Sequence, residues 1–380
     1  MPDMKKHKIL TIIGTRPEAI KLAPVVLELG VKPNLFISRI CVTAQHREML
    51  DQPLAIFGIK PDYDLNIMSP GQTLAQITAR AVKGLGDVMA KEKTDVVLVQ
   101  GDTTTAFCGA LAGYYHQITV GHVEAGLRTG NKYAPYPEEI NRRLVGQIAD
   151  LHFAPTEYAK QALLREGIPA TNVFVTGNTV IDALLWMRAQ VRATRPDLPK
   201  GLVSALEGRR AILVTGHRRE SFGEGFENIC RAIREVADTF TDIVFVYPVH
   251  LNPRVCKPVN RILGAHPRIQ LIKPLSYAPF VWLMDRAEIV LTDSGGVQEE
   301  APSLGKPVLV MRETTERPEG ITAGNALLVG VWQDRIVEGL TQLLRDPEKR
   351  TAMGTVNNPY GDGHAARRIV DILEGRIPEK

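Results

Sequence analysis

The sequence predicts an α/β protein of two doubly wound domains whose carboxyl sheet edges face one another across a cleft, and three observations predict it. Short Val/Ile/Leu-rich runs alternate with segments of helical period, the signature of βαβ units and parallel sheet. The alternation pauses at residues 193–200, ATRPDLPK, a polar connection containing proline, and a second series then begins. Finally, ILTIIGTRPE at 9–18 and AILVTGHRRE at 211–220 share one pattern of strand, Gly, polar, Arg, x, Glu, and each opens its own half. Basic βα turns of this kind belong at the carboxyl edges of parallel sheets, where α/β ligands bind.

In chain order, the first half offers the strands HKILTII, LFISRICVTA, DVVLVQ, ITVGHVEA and LHFAP. Helices are expected near 18–29, 73–90, 103–115 and 137–148. Thr15 and Glu18 have the spacing of a capping box and Pro17 suits a first turn, so the first helix start is well specified. Asp102 reads as an N-cap for the helix at 103, and Glu138 after Pro137 favours another helix N-terminus. VFVTGNTVIDALL leads into a long helix before the pause. The second series is RAILVTG, DIVFVYPVH, IQLIKPL, EIVLTDSGG and KPVLVMRE, followed by helices at 334–344 and 364–373.

At 380 residues, with 44% hydrophobic and 23% charged positions, the chain is long enough for two domains with full cores. The net charge of +4 comes from scattered Lys and Arg without a basic run, which argues against nucleic acid and fits a small anionic ligand. Cys41, Cys108, Cys230 and Cys256 stand far apart, so neither a zinc site nor a disulfide framework is indicated, and reduced thiols are expected. The opening MPDMKKHKILTIIG carries an apolar run of only a strand's length, with no cleavage site after it. No run approaches a membrane span, and a cytoplasmic location is expected.

Arg16 is the misfit of the first turn, because a cation beside the positive end of a helix is mildly unfavourable unless an anion sits there too. A phosphate would resolve it. Asp102, Glu124 and Glu138 stand at the ends of consecutive strands or at the helix start that follows, and Glu124 has no capping role to explain it. Three acids on one sheet edge suggest acid/base chemistry. In the second half, His217 beside Arg218 and Arg219 reads as a phosphate contact or general acid. The run Asp293-Ser294-Gly295-Gly296 follows a strand directly and opens a helix, so its N–H groups suit a diphosphate. Glu300, about a turn later, suits ribose hydroxyls, and Arg317 lies in the loop after the next strand.

GTRPEAIKLAP, TAQHREMLDQ, QGDTTTA, HVEAGLRTG, YPEEINRR, TGHRRESFG and TDSGGVQEEAPSLGKPVLVMRETTERPEG together resemble the bacterial non-hydrolysing UDP-N-acetylglucosamine 2-epimerases. The resemblance runs from the first strand to the C-terminal helix. It implies the glycosyltransferase-B fold, with residues 1–170 and a returning helix 366–380 as one Rossmann-like domain and 171–365 as a Rossmann-like UDP-binding domain. It also implies loss of UDP from C1 with removal of the C2 proton, a 2-acetamidoglucal intermediate, and re-addition with inverted C2. No cofactor and no metal are implied.

By the same resemblance, Asp102, Glu124 and Glu138 form the acid/base set and His217 assists UDP departure. Arg16 contacts phosphate with Lys21 in support; Ser294, Gly295 and Gly296 hold the diphosphate, Glu300 the ribose and Arg317 the sugar side. A second UDP-N-acetylglucosamine is implied as activator at Gln45, His46, Gln72, Arg218 and His250. A homodimer supplying envelope polysaccharide synthesis is the family expectation. A glycosyltransferase of the same fold would share the nucleotide site but have less use for three acids. A hydrolysing epimerase would release free N-acetylmannosamine, and a nucleotide-sugar sensor would tolerate neutral residues at Asp102 and Glu124.

Overall fold

The first apolar run forms strand β1 (His7–Ile13), whose last five residues are buried, as in a strand covered on both faces. In the computed structural model, which describes residues 6–43, 47–69 and 71–377, β1 sits inside a seven-stranded sheet. Its companions are β2 (Phe36–Val42), β3 (Tyr63–Asp64), β4 (Val96–Gln100), β5 (Thr119–Val123), β6 (Leu151–Ala154) and β7 (Val173–Val175). The order is β3-β2-β1-β4-β5-β6-β7, and each neighbouring pair is parallel. The chain winds from β1 to β2 on one side and later resumes at β4 on the other. The carboxyl ends of β1 and β4 are therefore the switch point, where an open α/β sheet leaves a crevice.

A second series repeats the plan with β8 (Arg210–Thr215), β9 (Ile243–Pro248), β10 (Ile269–Ile272), β11 (Ala287–Thr292), β12 (Val308–Val310) and β13 (Ala326–Leu328). Their order is β10-β9-β8-β11-β12-β13, again parallel, with the switch point between β8 and β11. The two halves thus share a topology as well as the strand-Gly-x-Arg echo. Each sheet has its own apolar core. Ile12, Val97, Val99 and Leu85 lie in the first, and Ile212, Phe245, Leu291 and Leu340 in the second. Among the described residues, no helix is long and apolar enough to cross a membrane.

Contacts divide the chain into one unit that runs through Ala183 and takes it up again from Tyr360, and a second unit, Leu184–Pro359. The divisions expected at 170/171 and 365/366 lie elsewhere for a local reason: β7 pairs with β6, and the chain is tied to the first unit from Tyr360 on. The Asn178 N–H donates to the Tyr360 carbonyl at 2.7 Å. His364 caps the last helix, Ala365–Arg376, without a side-chain bond, and Asp182 supplies the acceptors instead, taking the N–H groups of Ala365 at 3.2 Å and Ala366 at 2.8 Å. Burial pushes the Asp182 carboxyl up to about 6. Lys32 reaches both Asp371 and Glu374 at 2.6 Å.

Local expectations fail at two helix starts. Thr15 is the N-cap of helix Arg16–Val31, but its side chain makes no cap bond and the capping box does not form. That box is built instead by Thr73 and Gln76, at the start of helix Leu74–Glu92. Asp102 is not an N-cap, because Thr103 takes that place and accepts from the Ala106 N–H at 2.9 Å. Relieved of capping, Asp102 has its side chain available for another partner.

Candidate active site

At the carboxyl end of β1 the chain turns through Gly14, where a side chain is sterically impossible: a Cβ there would stand 2.2 Å from the Thr105 hydroxyl. The tight approach brings the turn after β1 against the helix that follows β4. Glu18 fastens the two together. Its carboxylate accepts from the Gly14 N–H at 3.0 Å and from the Thr103 hydroxyl at 2.7 Å, and it is 1% exposed. Burial raises its pKa to about 7, against the lowering effect of those hydrogen bonds.

This shift has a measurable sign. An acid whose folded pKa lies above its unfolded value favours folding most at low pH, and that contribution is lost as pH rises from about 4.5 to about 7. Glu18→Gln should remove the dependence. The stability of the native chain minus that of the variant is expected to fall, by on the order of 3 kcal/mol, between pH 4.5 and 7.5. Denaturant unfolding at both pH values measures it, and an unchanged difference would contradict it.

Arg16, half-buried at the first position of its helix, makes no hydrogen bond or ion pair with any described residue. It is a cation at the positive end of a helix, and among the described residues no anion pairs with it. Lys21, a turn further on, reaches into the sheet edge and donates to Glu124 Oε1 at 2.5 Å.

Glu124 stands just past β5, 7% exposed, with a φ of +61°. A left-handed conformation at a non-glycine residue costs about 1–2 kcal/mol and persists only where the surroundings enforce it. Here they do, because Lys21 and Asn178 both donate to Oε1, the latter at 2.9 Å, while the Gln100 amide donates to Oε2. Beneath it the His122 ring is fully buried and bonded to the Gly101 carbonyl at 2.7 Å; burial lowers its pKa to about 3 and keeps it neutral.

Asp102 follows β4, the strand next to β5, and Arg142 holds its carboxylate while the Asn141 amide bonds its main-chain carbonyl at 3.0 Å. Both partners lie on helix Glu138–Ile148, so that helix is docked on the turn carrying Asp102. Glu138 is its first residue, four before Arg142 and hence on the same face. One Glu138 oxygen, Oε2, is buried with no hydrogen-bond partner. Its neighbour Glu139 is committed to structure, accepting from the N–H groups of Thr129 and Gly130 and pairing with Arg142 and Arg143.

In the second unit, Asp293 at the end of β11 organises the turn after β8. It is fully buried, and its Oδ2 accepts from the N–H groups of His217 at 2.7 Å and Arg218 at 2.8 Å. The His217 ring lies over that of His250, with centroids 5.3 Å apart, and its Nδ1 is 3.7 Å from Asp293 Oδ1. Desolvation lowers the His217 pKa, with Asp293 pulling it up and His250 and Arg218 adding to the lowering. Ser294 caps helix Gly295–Ser303 without a side-chain bond. A methyl at Gly295 would stand 3.6 Å from Arg317 Nη2 and 4.0 Å from Arg218 Nη2, so two guanidinium groups flank that helix start. Arg317 is braced by buried Glu299, and Glu300 lies one turn on, its Oε1 3.9 Å from a Cβ at Gly296. Backbone N–H groups, a helix dipole and two guanidinium groups make an anion site.

Gln45 and His46 lie outside the described residues. Gln72 spends both ends of its amide on its own loop, accepting from the Ser69 N–H and donating to the Ile67 carbonyl. Sequence alone gives no holding role to Glu18, Gln100, Asn178, Arg142, Asp293 and Glu299, which keep the predicted residues in place. Asp293 did carry a signal, since it follows a strand directly in a polar turn.

A family model described as UDP-N-acetylglucosamine 2-epimerase matches residues 31–374. The UDP-N-acetylglucosamine 2-epimerase of Escherichia coli K12 is 58% identical over 370 residues, 97% of this chain and 98% of that protein. The crystal structure of UDP-GlcNAc 2-epimerase from Neisseria meningitidis bound to UDP-GlcNAc is 51% identical, with a TM-score of 0.86 over 97% of this chain and 100% of that one. The Methanocaldococcus jannaschii enzyme in complex with UDP-GlcNAc and UDP is 35% identical, with a TM-score of 0.76 over 96% and 99% of the two chains. With fold, family match and full-length identity in agreement, the chain belongs to the UDP-N-acetylglucosamine 2-epimerase family of isomerases.

Proposed function

We propose that the chain interconverts UDP-N-acetylglucosamine and UDP-N-acetylmannosamine by eliminating UDP across C1–C2 to give 2-acetamidoglucal and adding it back with C2 inverted. The observation that carries this reading is the β1-β4-β5 edge, where Asp102, Glu124 and Glu138 gather beside an arginine that has no described protein partner. The C2 proton lies next to an acetal carbon and is not acidic enough for a simple carboxylate base, so the C1–O bond must break first or nearly so. Arg16 and the Ser294-Gly295-Gly296 turn with Arg317 take the charge that develops on the departing diphosphate. His217 assists that departure, with Lys21 in support of the site and Glu300 on the ribose. The acids then remove and return the proton on the two faces of the sugar.

A second UDP-N-acetylglucosamine acts as activator in this reading, at Gln45, His46, Gln72, Arg218 and His250. Gln72 serves it by shaping its loop, since its own amide is already committed. Ile140 and Leu144, exposed one turn apart on helix Glu138–Ile148, support assembly as a homodimer. A cytoplasmic enzyme supplying envelope polysaccharide synthesis completes the proposal and rests on the family resemblance. Product analysis after incubation with UDP-N-acetylglucosamine tests it: the expected product is UDP-N-acetylmannosamine with only traces of free UDP. Stoichiometric UDP and free N-acetylmannosamine would instead mark a hydrolysing enzyme.

A further inference from the structure

Asn178 lies in the turn after β7 and is 1% exposed. Its side-chain Oδ1 accepts from the Val180 N–H at 3.1 Å, at the start of helix Thr179–Ala193. That bond decides which end of the amide faces the other way: Nδ2 points at Glu124 and donates to Oε1 at 2.9 Å. The main chain is held too, the N–H by the Tyr360 carbonyl at 2.7 Å and the carbonyl by the Ile181 N–H at 3.0 Å. A side chain fixed at its acceptor end, on a backbone fixed on both sides, delivers its donor along one direction. Lys21 offers Glu124 charge without such direction, because an ammonium on a flexible stem is a point charge.

We propose that Asn178 is a positioning residue for the C2 proton transfer: its amide aims the Glu124 carboxylate from the turn that also receives the returning chain at Tyr360. The proposal rests on the reading that Glu124 moves that proton. The groups facing Glu124 are Lys21 from helix Arg16–Val31, neutral His122 from β5, and the Gln100 amide from β4. Asp182, a turn beyond Asn178, gives its carboxylate to the N–H groups of Ala365 and Ala366.

Two substitutions separate positioning from a capping role. Asn178→Asp keeps the acceptor for Val180 but turns the donor facing Glu124 into a second carboxylate, and like charges sharing a site raise the proton affinity of the pair. The expected result is a pH–kcat limb moved up by about one unit or more, with turnover at pH 7 down about tenfold and UDP affinity within twofold of the native chain. Asn178→Ser keeps a good cap but is too short to reach Glu124. It should lose about tenfold in kcat without moving the profile. Native turnover and an unshifted profile in folded variants would overturn the proposal, as would failure of both to fold, since the residue would then be structural. If only Asn178→Asp fails to fold, Asn178→Ser decides. Glu124→Gln, measured beside them, keeps the two claims apart. Near-native turnover there removes the Glu124 reading itself, whereas an inactive Glu124→Gln with fully active Asn178 variants removes only the role of Asn178.

Discussion

Asp102→Asn and Glu124→Gln are each expected to lower turnover by about 10²- to 10⁴-fold, the usual worth of a positioned acid or base. Both replacements are nearly isosteric, but neither is silent for folding. Asn at 102 leaves the Arg142 guanidinium, 10% exposed, with the Glu139 carboxylate alone. Gln at 124 presents an amide nitrogen where the described partners are all donors, so the Gln100 amide must turn over. A stability loss of about 1–3 kcal/mol is therefore expected for each, well short of unfolding. Turnover and thermal melting measured on the same preparations separate the two effects. A folded variant with near-native turnover would remove that residue from the acid/base set.

Arg16→Ala is expected to weaken UDP binding by about tenfold or more, as loss of a charge-assisted contact to phosphate should, while leaving stability unchanged or slightly improved. The improvement follows from the helix: a cation is removed from the positive end of Arg16–Val31, and no described partner is orphaned. Titration calorimetry with UDP, alongside melting of the free protein, reads both quantities. Unchanged affinity with lost stability would make Arg16 a structural residue.

The two doubly wound sheets were legible because alternation and the repeated strand-Gly-x-Arg turn survive in local sequence. Two-residue β3 and three-residue β13 were not, since so short a segment has no period to detect. Helix Arg47–Ile56 hides behind an internal proline, Pro53. Helix starts misled because Thr15, Thr73 and Thr103 look alike in sequence, yet only the last two side chains cap, and Glu18 is drawn instead to Gly14 and Thr103 across the sheet edge. At the site, charged residues at strand ends announced themselves. Their holders did not, because Gln100 and Asn178 reach Glu124 from 24 and 54 residues away and Arg142 reaches Asp102 from 40. Only the strand order β1-β4-β5 with its neighbouring turns brings such distant residues to one edge.

The central claim is that acids of the first unit move a proton at C2 while UDP leaves and returns. Reaction in deuterated water, followed by NMR from each UDP-sugar in turn, tests it most directly. Deuterium should enter C2 of both UDP-sugars as they approach one fixed ratio from either side, with only traces of free UDP. The run that starts from UDP-N-acetylmannosamine includes a small amount of UDP-N-acetylglucosamine, the proposed activator. Epimerisation with C2 hydrogen fully retained, or deuterium found only in free N-acetylmannosamine beside an equal amount of UDP, would contradict the account.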